Sequence, residues 1–524
     1  MSVLVGHSDA PSRVQEGGAS SFPGFGEGAP LELPSTLDSS ALLARLLDGT
    51  HDAFADTLAG VGNCAHPIRL IGGSQTIDKT TGEVVGSFDS DTLPLGELYV
   101  PCGNRRAHVC PACSRTYARD TFELIRSGVV GGKTVPADVA RCPLLFVTLT
   151  APSFGLVHGT RPNNAPCRPR SSDRVVTCPH GVRLSCSSRH GDDDPVVGAP
   201  LCSDCYDWTT AVVWQFHAPE LWRRTTTAIR RALASRIGVS ESALRKSCTV
   251  QFAKVAEYQA RGAIHFHALI RLDGPDGPGS SCPFTAEDLA GAVRNAAGAS
   301  TLTAPPAFET DTPRVLAWGA QLDVRTITRG HRDLTSSEEL TPEQVAGYLA
   351  KYATKDATDL RTLGHRPHLV RLADECHDLA RHAHERSIRR ALNGPNTTVV
   401  PLDPKTGLDH YALLGKWAHM LGFRGHFSTK SRRFSITLGR LRAARARYRR
   451  LLEHANRTGV PLDTRDLEAR LFATDAEDDT TLIVGTWQYA GTGWPKPGDA
   501  ELAAAAAARA REYDQWRAST RRIP

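Results

Sequence analysis

The sequence predicts an α+β chain. Three observations carry this: a β-hairpin pattern from Cys248 to Asp273, helical runs on either side of it, and paired cysteines in the segments that precede it. The 524 residues suffice for two to four domains, and a hydrophobic content of 40% supports real cores. No apolar run has transmembrane length, and no basic segment leading into an apolar one opens the chain, so a cytoplasmic protein with no membrane partner is expected. A net charge of +6 permits a nucleic-acid partner without requiring one. Thirteen cysteines in a cytosolic chain are expected to be thiols or metal ligands, not a disulfide framework.

Residues 1–38 are rich in Gly, Ser and Pro without periodicity, and disorder is expected there. A helix then begins at Ser39, and residues 39–140 form a cysteine-bearing region ending in the amphipathic stretch Arg115–Ile125. Cys110-Pro-Ala-Cys113 has the spacing that lets two thiolates share one tetrahedral Zn²⁺, and Cys64 and Cys102 are its partners upstream. Residues 141–357 are read as one domain, opened by the buried strand Phe146–Thr150 and interrupted by an insertion at about 160–210. Within the insertion Cys202-Ser-Asp-Cys205 is a second knuckle, with Cys178 and Cys186 as partners. His66, His108, His180 and His190 are substitute ligands; a redox pair or unligated thiols are the alternatives to structural zinc. A helix is expected over Leu221–Ile237.

The hairpin follows. Strand side chains alternate, so His265 and His267 share one face while Ile264, Phe266 and Ala268 point into the core. Imidazoles suit borderline divalent cations, and a carboxylate is the usual third ligand where a coordination position must stay open. Glu257 supplies it if the turn has three residues centred on Arg261; a two-residue turn would put Tyr258 beside His265 instead. Next, Thr341-Pro-Glu-Gln344 opens a helix with cap, first-turn proline and capping-box glutamine. On it Tyr348 and Tyr352 lie one turn apart, about 6 Å along the axis, with Lys351 and Lys355 in a parallel row. A phenol with a pKa of about 10 needs a neighbouring ammonium and a metal-polarised phosphate to act as a nucleophile at neutral pH. The bland alternatives are strand histidines in water and an aromatic stripe on the core. Paired histidines followed by such a tyrosine are, in combination, the equipment for cutting a DNA strand and retaining its end.

Residues 358–457 turn helical and basic. Arg432, Arg433, Arg440, Arg442, Arg445 and Arg447 are placed to meet phosphates, and Trp417, Phe423, Phe427 and Phe434 are candidates either for stacking on bases or for ordinary packing. The tail, 458–524, ends in a helix over Glu501–Arg517 with no readable role.

Three of these segments, in this order, resemble the motifs of the HUH endonuclease superfamily, and more closely those of rolling-circle replication initiators of actinobacterial plasmids and integrative elements. Phe146-Val-Thr-Leu-Thr150 resembles the first motif; Ile264-His-Phe-His267, with Glu257, the metal-binding second; and Tyr348-x-x-Lys351-Tyr352 the third, in its two-tyrosine form. Lys254–Gln259, Leu221-Trp-Arg-Arg224 and Cys178-Pro-His-Gly181 also look familiar for that group, and the likeness spans roughly Cys64 to Phe434. The resemblance implies a central antiparallel sheet flanked by helices, and Mg²⁺ or Mn²⁺ held by His265, His267 and Glu257. It implies attack by Tyr348 or Tyr352 on one origin strand that is single-stranded or in a hairpin, giving a 5′-phosphotyrosine and a 3′-OH primer. The lysines would lower the phenol pKa or hold phosphate. No Walker-A loop is present, so a host helicase as well as a host polymerase is expected. A two-tyrosine rolling-circle transposase, or a non-enzymatic zinc-containing DNA-binding regulator, are the alternative readings.

Overall fold

In a computed structural model the described residues are 39–107, 109–169, 175–327, 345–349, 366–393, 402, 407–473 and 481–520. They divide into two compact units, residues 1–120 with 473–524, and residues 121–472. The division differs from the five-part reading of the sequence, in that the C-terminal tail falls in one unit with the N-terminal region and the basic segment in the other with the hairpin.

In the first unit, α1 (Ser39–Leu47) and α2 (His51–Gly60) precede a sheet of β1 (Ile68–Asp78), β2 (Val84–Asp89) and β3 (Leu98–Val100). Its longest pairing is antiparallel, between β1 and the strand Thr481–Thr492, over the whole of β1 from Ile68 opposite Thr492 to Asp78 opposite Thr481. The helix Pro497–Thr520 completes the unit. There Asp499, fully buried, takes a two-pronged ion pair from Arg45 at 3.0 and 2.6 Å. A small core of Phe54, Leu58, Val61, Trp494, Leu502 and Ala503 surrounds Cys64, Cys110 and Cys113.

The boundary between units falls inside α3 (Pro111–Val130). The second unit is built on five antiparallel strands. In chain order these are β4 (Leu144–Thr150), β5 (Thr249–Tyr258), β6 (Ile264–Asp273), β9 (Leu322–Thr326) and β10 (Ser428–Lys430), and across the sheet they run β10-β5-β6-β4-β9. The short pair β7 (Thr301–Ala304) and β8 (Arg314–Ala317) lies apart from it. Strand alternation gives each face its own core. One face sets Leu145, Val147, Leu149, Phe266, Ala268 and Ile270 in a cluster with residues of α4 (Trp208–Arg236), the short α5 (Glu241–Leu244), α6 (Ala286–Ala299) and α7 (Pro367–Asn393). The opposite face sets Leu144, Phe146, Val255 and Leu269 against Ile125 and Val129 of α3, Phe434, and the helical residues 345–349.

The α4 helix starts well before the expected Leu221. Asp207 caps it by accepting from Thr210 N–H at 2.8 Å, and Pro219 is carried inside it. The early start matters for the site, because it places the fully buried Gln215 against the hairpin turn. Its amide donates to Gly262 O and Leu421 O at 2.9 and 2.8 Å and accepts from Ile264 N–H at 3.0 Å. Phe423, Phe427 and Phe434 are buried to within 4%. They are core residues and not a stacking platform; Trp417 is half-buried against the same core. Among the described residues, no helix is long and apolar enough to cross a membrane.

Candidate functional site

The hairpin has the three-residue turn. Glu257 pairs with His265 and Tyr258 with Ile264, and Gln259 N–H donates to Ala263 O at 2.8 Å to close the loop. Gly262 takes the left-handed position of that loop at φ 78°; a Cβ there would also lie 2.6 Å from methyls of Leu369 and Leu372, so glycine is required on both counts.

That register sets three ligand atoms on one spot. His265 Nε2 lies 2.9 Å from Glu257 Oε2 and 3.2 Å from His267 Nε2, which is itself 3.3 Å from Glu257 Oε2. The adjacent strand supplies the support: Thr148 stands opposite His267, its Oγ1 3.0 Å from Nδ1, and Phe146 stacks on the imidazole at 5.6 Å between centroids. With Nδ1–H donating to the hydroxyl, Nε2 keeps its lone pair for a metal. Burial acts in the same direction, holding His267 below its ordinary pKa and so neutral. Two imidazoles and a carboxylate converging on one spot fit a borderline divalent cation and leave coordination positions open.

Tyr348 faces this group. Val345, Ala346 and Leu349 bury one side of its helical turn, leaving Tyr348 38% exposed at the edge. Its hydroxyl lies 3.3 Å from His267 Nε2, and its ring meets those of His267 and Phe146 edge-on at 5.2 and 5.8 Å. Lys351, Tyr352 and Lys355 lie outside the described residues. In the sequence Thr148 and Phe146 read as parts of a buried strand and of the first motif, without a role beside the histidines; their shared face with His267 follows from alternation once the β4–β6 register is known.

Three cysteine-bearing groups also come together among the described residues. Cys64, Cys102, Cys110 and Cys113 come together, with ligand atoms within 4.8 Å of one another. Backbone N–H groups of Cys102 and Asn104 donate to the Cys64 and Cys102 sulfurs at 3.3 and 3.5 Å. Hydrogen bonds from Cys113 and Cys64 hold the Cys110 thiol far below its ordinary pKa, while the contact with Cys110 drives Cys113 far above. Such crowded thiols are relieved when a cation takes the centre. The second knuckle differs from expectation in one ligand. Cys178, Cys202 and Cys205 gather around His180, and Cys186 is instead grouped with His158, Cys167 and His190. The reason is topological: Cys186 pairs backbone to backbone with Arg168, at 2.9 and 2.8 Å, which carries it to Cys167 and away from the knuckle.

Of the six arginines, Arg432, Arg433, Arg440 and Arg442 are exposed. Arg440 donates to Thr134 Oγ1 and Phe472 O at 3.1 and 3.0 Å, and Arg447 to Leu471 O at 2.8 Å. Those two brace α8 (Leu438–Thr458) against α9 (Leu467–Phe472). Arg445 is half-buried on the same helix.

Fold and geometry together define a mixed α/β protein with four groups of side chains suited to metal ions among its described residues. Comparison with known sequences narrows this. The family model described as replication initiator protein, pSAM2 (RepSA), matches residues 50–508, and the chain belongs to that family. A replication initiator protein of Streptomyces ambofaciens is 42% identical over 476 residues, covering 90% of this chain and 92% of the relative. No solved structure matches.

Proposed function

We propose that this chain initiates rolling-circle replication of a plasmid or integrative element by nicking one origin strand, with the mechanism of the HUH endonucleases. The observation that carries the reading is the Tyr348 hydroxyl 3.3 Å from His267 Nε2, on the open side of a His-His-Glu group. Glu257, His265 and His267 would hold Mg²⁺ or Mn²⁺, whose charge draws electron density from the scissile phosphate. Tyr348 Oη attacks phosphorus; the Tyr–O–P bond forms, the P–O3′ bond breaks, and the departing oxygen leaves as a 3′-OH carrying one proton in place of the phenol's. One phosphodiester replaces another, so the strand end stays activated for rejoining. The stacked rings of Phe146 and His267 both meet the phenol edge-on, which fixes its approach. Tyr352 would serve the second cleavage, with Lys351 and Lys355 on the phosphate or the phenol. Exposed Arg432, Arg433 and Arg442 suit duplex phosphates next to the nick. Origin DNA is the partner, opened at the nick or folded as a hairpin, and a host helicase and polymerase act downstream.

The test uses full-length protein with a supercoiled plasmid carrying the DNA that flanks its own gene, in Mn²⁺ or EDTA, analysed on denaturing gels. Metal-dependent nicking with protein joined to the 5′ end is expected, abolished by Tyr348→Phe or shared between Tyr348→Phe and Tyr352→Phe. Sequence-specific binding without a nick, metal present, would overturn the endonuclease reading.

A further inference from the structure

The insertion between β4 and α4 has almost no hydrophobic core. Between residues 155 and 205, Val197 is the one buried apolar side chain other than cysteine among the described residues, while Leu156, Val176, Val182 and Val196 are exposed. Among its described residues the regular structure is a single short 3₁₀ turn and isolated bridges: Val157 with Pro200, Arg168 with Cys186, and Thr177 with Arg183. A segment of this length with so little buried apolar surface does not hold a fixed shape by packing, and small modules of that kind are held by metals or disulfides. Its cysteines are free thiols.

Eight side chains supply the alternative, as two sets of four. In one, His180 Nδ1 lies 3.2, 3.7 and 4.0 Å from the sulfurs of Cys205, Cys202 and Cys178. A single imidazole nitrogen addressed by three sulfurs is the donor arrangement of a closed tetrahedral Zn²⁺ site. In the other, His190 Nδ1 meets Asp194 Oδ2 at 2.7 Å, which turns Nε2 toward Cys186 Sγ at 3.5 Å. His158 Nδ1 stands 3.8 Å from Cys167 Sγ, and Gly159 N–H donates to that sulfur at 3.2 Å. A carboxylate that orients an imidazole, and a backbone amide on a thiolate, are the supports that ligands of a resident metal carry.

The order along the chain is what links them. His158 and Cys167 belong to the first set, Cys178 and His180 to the second, Cys186 and His190 to the first, Cys202 and Cys205 to the second. Each set therefore encloses part of the other's chain. We propose that residues 158–205 form an interleaved two-zinc knob, with one Zn²⁺ on His158, Cys167, Cys186 and His190 and a second on Cys178, His180, Cys202 and Cys205, and that the two zincs are held and lost together. With the Cys64 group the chain then carries three structural zincs.

The knob sits where its rigidity is felt. Gly198, at φ 92°, lies so close to the β5–β6 turn that a Cβ would come within 2.2 Å of the Ala260 carbonyl. Arg366 donates to Val197 O at 2.8 Å, and Arg261 in the turn donates to Pro152 O and Ala151 O at 2.7 and 3.0 Å.

Zinc content of the full-length chain, measured by elemental mass spectrometry after EDTA dialysis to clear the open three-ligand site, tests this. Three zincs per chain are expected. Cys186→Ser should leave one, because both knob zincs depart, whereas Cys113→Ser should leave two. Asp194→Asn keeps all eight ligands and should speed loss of the same two zincs to chelator by about 10–100-fold. A mercurial titration of the unmodified chain, read with a zinc-sensitive dye, needs no variant, and should show two zincs leaving in one step. Two zincs in the starting protein, or Cys186→Ser retaining all of them, would overturn the new site; Cys186→Ser retaining two, or two separable release steps, would overturn the interdependence.

Discussion

Thr148→Val isolates the support behind the histidine pair. Valine matches threonine in shape and strand preference, so β4 keeps its pairing, and the change removes the hydroxyl 3.0 Å from His267 Nδ1. The imidazole is only 4% exposed, and that contact sets both its rotation and its tautomer. Loss of such an orienting partner weakens metal binding by about 10–100-fold, or about 1.4–2.7 kcal/mol. The assay is titration of EDTA-stripped protein with Mn²⁺, following free Mn²⁺ by electron paramagnetic resonance, with nicking measured in parallel over Mn²⁺ concentration. The apparent Mn²⁺ constant should rise by that factor while the rate at saturating metal changes little. Thr148→Ser, which keeps the hydroxyl, should behave like the parent. Equal Mn²⁺ affinity in the valine variant, or a serine variant as weak as valine, would refute the argument.

Two further predictions concern stability in the second unit. Arg271 is fully buried, holds Asp273 through two bonds of 2.8 Å, and donates to the Gly128 and Phe434 carbonyls. Arg271→Ala should therefore cost about 3–5 kcal/mol in urea unfolding, because it strands a buried carboxylate; a loss under 1 kcal/mol would mean that the network is dispensable. His217 is buried beside Tyr411, and burial pushes its pKa down to about 3. Its unfolded value is near 6.5, so from there down to about 3 the unfolded chain takes up a proton that the folded one refuses. Stability should thus be intact above pH 6.5 and fall as pH drops through that window, by up to about 1.4 kcal/mol per pH unit. The zinc ligands also titrate, so the readout is the difference in slope between parent and His217→Gln; parallel curves between pH 5 and 7 would exclude the contribution.

What the sequence disclosed follows from the range of the interactions involved. Strand alternation is local, so the shared face of His265 and His267 was legible, as were the two Cys-x-x-Cys knuckles. The partition of the insertion's ligands was not, because chain proximity favours Cys186 joining Cys178 while a backbone bridge from Arg168 draws it to Cys167. The pairing of β1 with residues 481–492 joins segments some four hundred residues apart, and neither carries a pattern that names its partner. Phe423, Phe427 and Phe434 among arginines read equally as a stacking surface or a core; only the sheet above them decides. His368, given no role from sequence, is buried with Nε2 2.9 Å from Ala260 O.

That last contact bears on why the turn is held so firmly. Glu257 and His265 face each other only in the three-residue register. If the turn lost one residue, Tyr258 would stand opposite His265 and Glu257 would move to the other side of the sheet, since a one-residue slip inverts every side chain. A hairpin end far from the sheet's centre has little packing of its own to prevent this. Here Gln215 ties Gly262 and Ile264 from α4, His368 holds Ala260 from α7, Arg261 reaches the end of β4, and Gly198 of the insertion lies against Ala260. The contacts from Gln215, His368 and Gly198 are to the turn's own backbone and fix its path whatever its side chains do, and the Arg261 side chain adds a tie to the chain beyond β4. The carboxylate is thereby kept beside the imidazoles, and the Tyr348 hydroxyl beside His267, by contacts from four elements that contribute no atom to the His-His-Glu group.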